Sequence, residues 1–170
     1  MKNPLDVMYH EHEIIQKTKK IIQEINNLWT KNEQEYREVV TKLVLFFSEY
    51  ADGYHHRKEE EVLFPAIKSH PDFILQEIID EFEQHHEDFR TYASEIKELL
   101  EENEFEKSYK VLNDYLNDLL DHIAAENEEL FVLADSLLDD NQKESLYFRF
   151  MDIDREIGED NKTNFEKYWV

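Results

Sequence analysis

The chain has 170 residues, with 41 acidic against 19 basic side chains and a formal net charge of −22. That charge argues against nucleic acid and anionic membrane surfaces as partners, because both repel it. Two glycines and three prolines leave too little turn chemistry for a β fold, and with no cysteine any metal must be held by nitrogen and oxygen.

The length suits one domain with a sizeable core, and the expected class is all-α. No run of eighteen apolar residues and no apolar leader-like stretch stands near the N-terminus, so the expected localisation is cytoplasmic.

Asn3 before Pro4 predicts an N-cap with proline at the first helical position. Apolar residues then recur at Leu5, Met8, Ile15, Ile22, Ile25 and Trp29, with His12 on the stripe and His10 off it. Residues 30–34 read as the first turn. A second helix is expected over about residues 35–67, its stripe running Val40, Val44, Phe47, Ala51, His55, Glu59, Val62 and Ala66. Gly53 costs this helix up to about 1 kcal/mol against alanine and marks a loosening before His55. Ser69, His70, Pro71 and Asp72 end it, with Pro71 placed to begin the next helix.

The third helix shows the cleanest periodicity: Leu75, Ile79, Phe82, His86, Phe89, Ala93, Ile96 and Leu100, in steps of four and three. His85 lies about 100° round this helix and faces water. Asn103 with Glu106 has capping-box spacing and is expected to open a fourth helix, striped by Leu112, Tyr115, Leu119, His122, Glu126, Leu130 and Leu133. A further amphipathic helix is expected over about residues 142–157. The tail beyond Gly158 carries Phe165, Tyr168 and Trp169, which can pack back on the helices. These stripes predict an antiparallel up-down four-helix bundle with an additional C-terminal helix. The bundle would span about residues 4–138, the C-terminal helix and tail 141–170, all in one domain.

The inward stripes carry chemistry. His55 with Glu59 and His122 with Glu126 are each four residues apart, so each pair shares one helix face. His12 and His86 add an imidazole from the other two helices. An ionised carboxylate buried without a partner costs several kcal/mol, and no Lys or Arg occupies these stripes. His12, His55, Glu59, His86, His122 and Glu126 are therefore the expected metal ligands. Imidazole with carboxylate suits iron, manganese or zinc. Six inward ligands exceed the four of a zinc site and favour two ions inside a bundle.

His56 with Glu60 repeats the spacing on a neighbouring face and reads as a solvated or supporting pair, as do His10 and His85, while His70 reads as surface. Tyr9, Tyr54 and Tyr115 lie near the ligand turns and read as packing residues. No nucleophile with a base and an orienting group appears, which excludes a hydrolase reading.

These motifs resemble the hemerythrin-like (HHE cation-binding) family. The resemblance rests on Glu11-His12, His55 to Glu60 running into Leu63-Phe64-Pro65, His86 with Glu87 and Arg90, and His122 to Asn127 running into Leu130-Phe131. It covers about residues 5–133. It implies a non-haem centre of two iron ions bridged by an oxo or hydroxo group, which binds or senses dioxygen, nitric oxide or iron. It equally admits a di-iron enzyme acting on peroxide or oxygen, or an iron donor in repair of iron–sulfur clusters. Binding of a diatomic is favoured over catalysis. Oxygen carriers of the family have a further histidine where this chain has Arg90 and an aspartate where it has Asn127. The cysteine-bearing leader and extra first-connection histidine of the repair branch do not occur here.

Overall fold

In the computed structural model, which describes residues 2–169, every regular element is helical. The first helix, Pro4–Gln16, is capped by the Asn3 side chain, which accepts the Leu5 N–H at 2.9 Å. It breaks at Lys17 and resumes over Thr18–Glu24. Asn32 caps the second helix by accepting the Glu35 N–H at 3.0 Å, so that helix begins at Glu33, two residues before the expected start.

The second helix changes pitch at the polar residues. It is α-helical over Glu33–Phe46, π-helical over Phe47–His56 and Glu59–Leu63, and α-helical again over Phe64–Lys68. A π turn takes in one more residue than an α turn and is rare outside functional sites. A Cβ at Gly53 would meet nothing nearer than Ser48 O at 3.6 Å, so space does not demand glycine. Its effect is to weaken the competing α-helical turn.

Two expected helix starts move. Pro71 lies in a turn where His70 Nδ1 accepts the Asp72 N–H, and the third helix begins only at Gln76, running to Glu101. Leu75 consequently falls outside the helix and is 45% exposed rather than on the seam. Asn103 adopts a left-handed backbone (φ 60) just past the third helix and accepts from the Arg37 guanidinium. It therefore terminates that helix rather than capping the fourth, which starts at Phe105 without a side-chain cap.

The fourth helix is α-helical over Phe105–Ala125, π-helical over Glu126–Leu130 and α-helical over Phe131–Leu137. A reciprocal capping box of Asp139 and Gln142 opens the fifth, Asp140–Ile157. Gly158, at φ 128, turns the chain into a short sixth helix, Glu159–Glu166, which the sequence pattern did not announce.

The apolar side chains form two cores with a polar layer between them. One joins Ile15, Tyr36, Phe46, Tyr54, Phe89, Leu119 and Phe165; the other joins Met8, Val62, Phe64, Phe82, Leu130, Phe131 and Phe150. The first helix passes from Met8 through His12 to Ile15, and the second from Tyr54 through His55 and Glu59 to Val62. The third runs from Phe82 through His86 to Phe89, and the fourth from Leu119 through His122 and Glu126 to Leu130. Tail residues Phe165, Tyr168 and Trp169 pack on the first core as expected, Trp169 at 5.6 Å from the Phe46 ring.

Candidate metal centre

The layer between the cores holds the six residues singled out by the stripes, and all are buried, at 0–2% exposure. They fall into two overlapping groups whose donor atoms lie within 4.8 Å of one another. His12 and His55 form one group with Glu59 and Glu126. His86 and His122 form the other with the same two glutamates.

Each glutamate faces a histidine of both groups. Glu126 Oε1 is 3.3 Å from His12 Nε2 and 3.0 Å from His122 Nε2; Glu59 Oε1 is 3.3 Å from His55 Nε2 and 3.4 Å from His86 Nε2. Ligand atoms about 2.1 Å from a shared ion at right angles stand about 3 Å apart, so these separations suit neighbours in one coordination sphere.

Hydrogen bonding supplies the test of fit. His12 Nε2, His55 Nε2, His86 Nε2, His122 Nε2 and both oxygens of Glu59 and of Glu126 are buried with no hydrogen-bond partner. Buried polar atoms are normally satisfied, and each orphan costs about 1–3 kcal/mol. Eight such atoms converging on one volume, four imidazole nitrogens and four carboxylate oxygens, match the donor set of a pair of transition-metal ions.

The outer faces of three of these histidines are tied down. His55 Nδ1 is 3.0 Å from Glu11 Oε1, His12 Nδ1 is 2.7 Å from Asn127 Oδ1, and His122 Nδ1 is 2.9 Å from His85 Nδ1. His86 Nδ1 has no hydrogen-bond partner and faces the Glu60 carboxylate at 3.6 Å, an electrostatic contact only. Hydrogen-bonded partners fix ring orientation and tautomer at metal sites. Asn127, in the place of the carriers' aspartate, thus holds His12. Arg90, in the place of their extra histidine, pairs with Asp52 and Glu60 and so braces the partners of His56 and His86.

No Lys or Arg shares the stripes with Glu59 and Glu126, as expected, but Lys58 lies one position off and serves other buried carboxylates. It is fully buried and pairs with Glu11 and with Asp154 of the fifth helix, at 2.6 Å from the latter. Lys162 of the sixth helix completes the cluster, 2.8 Å from Glu11 and 3.2 Å from Asp154. Two ammonium groups thus balance two carboxylates, which links the C-terminal helices to His55 through Glu11.

His56 is not solvated as one reading allowed. It is 2% exposed, stacks on His86 with ring centroids 3.8 Å apart, and bonds Asp52. His85 is half-buried and touches His122, whereas His10 is 54% exposed and pairs with Glu166. Sequence reasoning missed Lys58 and Glu11 as supports because both lie one position off a stripe, whereas for His56 it had admitted a supporting role, and burial against His86 selects that role.

Burial holds His12, His55 and His122 below the ordinary imidazole range, with Glu59 only partly offsetting it. Burial also opposes charging His86, yet Glu59 and Glu60 outweigh it and push His86 up to about 9. For Glu59, burial favours the neutral acid, but His55 and His86 prevail and hold it well below the usual carboxylate range. Burial acts likewise on Glu11, and Lys58 overcomes it. In the metal-free layer these directions favour an ionised Glu59 facing a protonated His86, a proton that an incoming cation must displace.

Beside the layer, an acidic cleft of about 420 Å³ is lined by Glu81, Asp88, Asp118, Asp121 and Glu129 and reaches His122 past His85. Among the described residues no helix is long and apolar enough to cross a membrane.

No curated protein and no solved structure matches the chain. The family model of the hemerythrin HHE cation-binding domain matches residues 2–134, which include all six inward residues. The chain belongs to the hemerythrin HHE cation-binding family.

Proposed function

We propose that this protein holds two iron ions in the polar layer and uses them to bind or sense a small diatomic, dioxygen or nitric oxide. His12 and His55 would serve one ion and His86 and His122 the other, with Glu59 and Glu126 shared between them. The observation that carries the reading is the membership of both glutamates in both donor groups. Four protein donors per ion leave about two positions of an octahedral iron for other ligands. Iron, when bound, supplies the redox chemistry and the affinity for a diatomic; manganese or zinc would occupy the same donors.

The protein's own part is to orient and to seal. Glu11, Asn127 and His85 hold the imidazoles of His55, His12 and His122, while Phe131, 5.3 Å from the His12 ring, and Phe82, 5.0 Å from the His122 ring, wall the layer off from water. We infer further that the four ligand-bearing helices form an antiparallel up-down bundle within one domain. The alternating order in which they pass from one apolar core to the other supports this.

The acidic cleft favours a second reading, in which iron itself is the cargo or signal. Five carboxylates at its walls attract cations, and the path ends on His122. An enzyme acting on peroxide or oxygen remains the alternative for the same centre.

Anaerobic loading with ferrous iron, followed by visible spectra on admitting and then removing oxygen, tests the proposal. A band that appears and reverses supports diatomic binding. Irreversible oxidation refutes reversible binding and favours the iron-handling or enzymatic reading.

A further inference from the structure

The sixth helix, Glu159–Glu166, lies beyond the residues that the family model matches, yet its polar ties converge on one half of the polar layer. Lys162 meets Glu11 Oε2 at 2.8 Å, and the other oxygen of that carboxylate meets His55 Nδ1 at 3.0 Å. Glu166 accepts from the Tyr50 hydroxyl at 2.6 Å and lies 3.1 Å from His10 Nε2. The carbonyl of Gly158, where the helix opens, accepts from the Tyr54 hydroxyl at 2.6 Å. Glu11 and Tyr54 directly precede His12 and His55 in the chain. These ties run to the His12 and His55 side and not to His86 or His122.

The helix depends on them. It has 8 residues, and helices shorter than about 12 residues are marginal in water by themselves. Its one deeply buried apolar side chain is Phe165, with Tyr168 and Trp169 partly buried after it. Gly158, at φ 128, separates it from the fifth helix with a backbone that other residues rarely adopt. Segments with so few apolar anchors open locally, without unfolding of the whole chain. Of the charged ties, Lys162 to Glu11 is the one that reaches the support of an inward histidine.

Metal occupancy bears on that tie through the His55 proton. The ring has a carboxylate at each nitrogen, Glu11 at 3.0 Å from Nδ1 and Glu59 at 3.3 Å from Nε2. A neutral imidazole carries one N–H, so without metal the two carboxylates compete for it. An ion on Nε2 leaves Nδ1 as the donor, and Glu11 then receives the hydrogen bond outright. This fixes the Glu11 carboxylate with its second oxygen turned to Lys162.

We propose that docking of the sixth helix is coupled to the ion at His12 and His55, with Lys162 the positioning residue that transmits occupancy through Glu11. The inference rests on the metal-centre reading and gives that centre its regulation: the loaded protein holds the helix down, and the metal-free protein releases it. By linkage, docking of the helix tightens the ion by the same factor.

Hydrogen exchange of residues 159–166 in the full chain, read by mass spectrometry with and without ferrous iron under anaerobic conditions, tests the coupling. Loading should slow exchange there about 5- to 10-fold. Lys162→Met should remove that increment, and Lys162→Arg should keep it. Competition with a chelator should show one of the two ions bound about 5- to 10-fold more weakly in Lys162→Met. Loss of an ammonium by charge alone would tighten cation binding, so weakening reports positioning. Equal exchange in the loaded and metal-free parent, an increment that survives Lys162→Met, or an affinity unchanged or raised in that variant overturns the proposal. A parent that takes up no iron overturns the metal-centre reading and this inference with it.

Discussion

Replacing Lys58 by methionine tests whether the buried charge cluster supports the centre. The Lys58 ammonium is fully buried between Glu11 and Asp154, and both carboxylates are shielded from water. One pair about 4 Å apart at an effective dielectric of about 20 is worth roughly 4 kcal/mol, and breaking a buried pair from one side typically costs about 3–5 kcal/mol. Lys162 stays within 2.8 Å of Glu11 and 3.2 Å of Asp154 and limits the loss, so Lys58→Met should destabilise the protein by about 3 kcal/mol. The double variant Lys58→Met with Asp154→Asn restores charge balance, leaving Glu11 paired with Lys162, and should recover at least half of that. Urea unfolding of the metal-free protein by circular dichroism is the assay, since bound metal would add its own stabilisation. A single variant within about 0.5 kcal/mol of the parent, or a double variant no better than the single, would refute the reasoning.

Glu11→Gln keeps the shape of the side chain but removes the charge facing His55, and should lower metal affinity about 10- to 100-fold, measured by competition with a chelator. Asn127→Ala should have a smaller effect of the same sign through His12, read in the same titration. In the metal-free protein, His86 has its pKa raised to about 9 from 6.5. Its pairing with Glu59 therefore stabilises the fold fully below pH 6.5 and is lost as pH rises through about 9, by about 3 kcal/mol. Urea melts at pH 7.5 and pH 9.5, a window in which the histidines with lowered pKa are neutral in both the folded and the unfolded chain, should show about 2 kcal/mol of that loss without metal and none with it. Phe131→Ala removes a fully buried ring that packs on Tyr9 and His12 and should cost about 3–5 kcal/mol, measured by the same unfolding.

The inward residues were legible because they occupy apolar stripe positions without being apolar. His12 between Met8 and Ile15, and His86 between Phe82 and Phe89, can reach the core only as residues with a buried partner. What escaped is what an ideal helix period cannot represent. The π turns of the second helix add residues to each turn, and His55, His56, Lys58 and Glu59 all turn inward there, wider than one stripe allows. Glu11 and Asp154 look like surface charges until the fold brings Lys58 and Lys162 to them. Asn103 had the spacing of a cap, but its left-handed backbone and the Arg37 side chain gave it to the preceding helix. The sixth helix has weak amphipathic character, and its one deep anchor is Phe165.

The most direct test of a shared-carboxylate pair is the iron content of anaerobically loaded protein, compared among the parent, Glu59→Gln and Glu126→Gln. Because each glutamate belongs to both donor groups, the account predicts two irons per chain in the parent and weakened binding of both ions in either variant. One iron or fewer in the parent, or variants that each lose nothing, would contradict it.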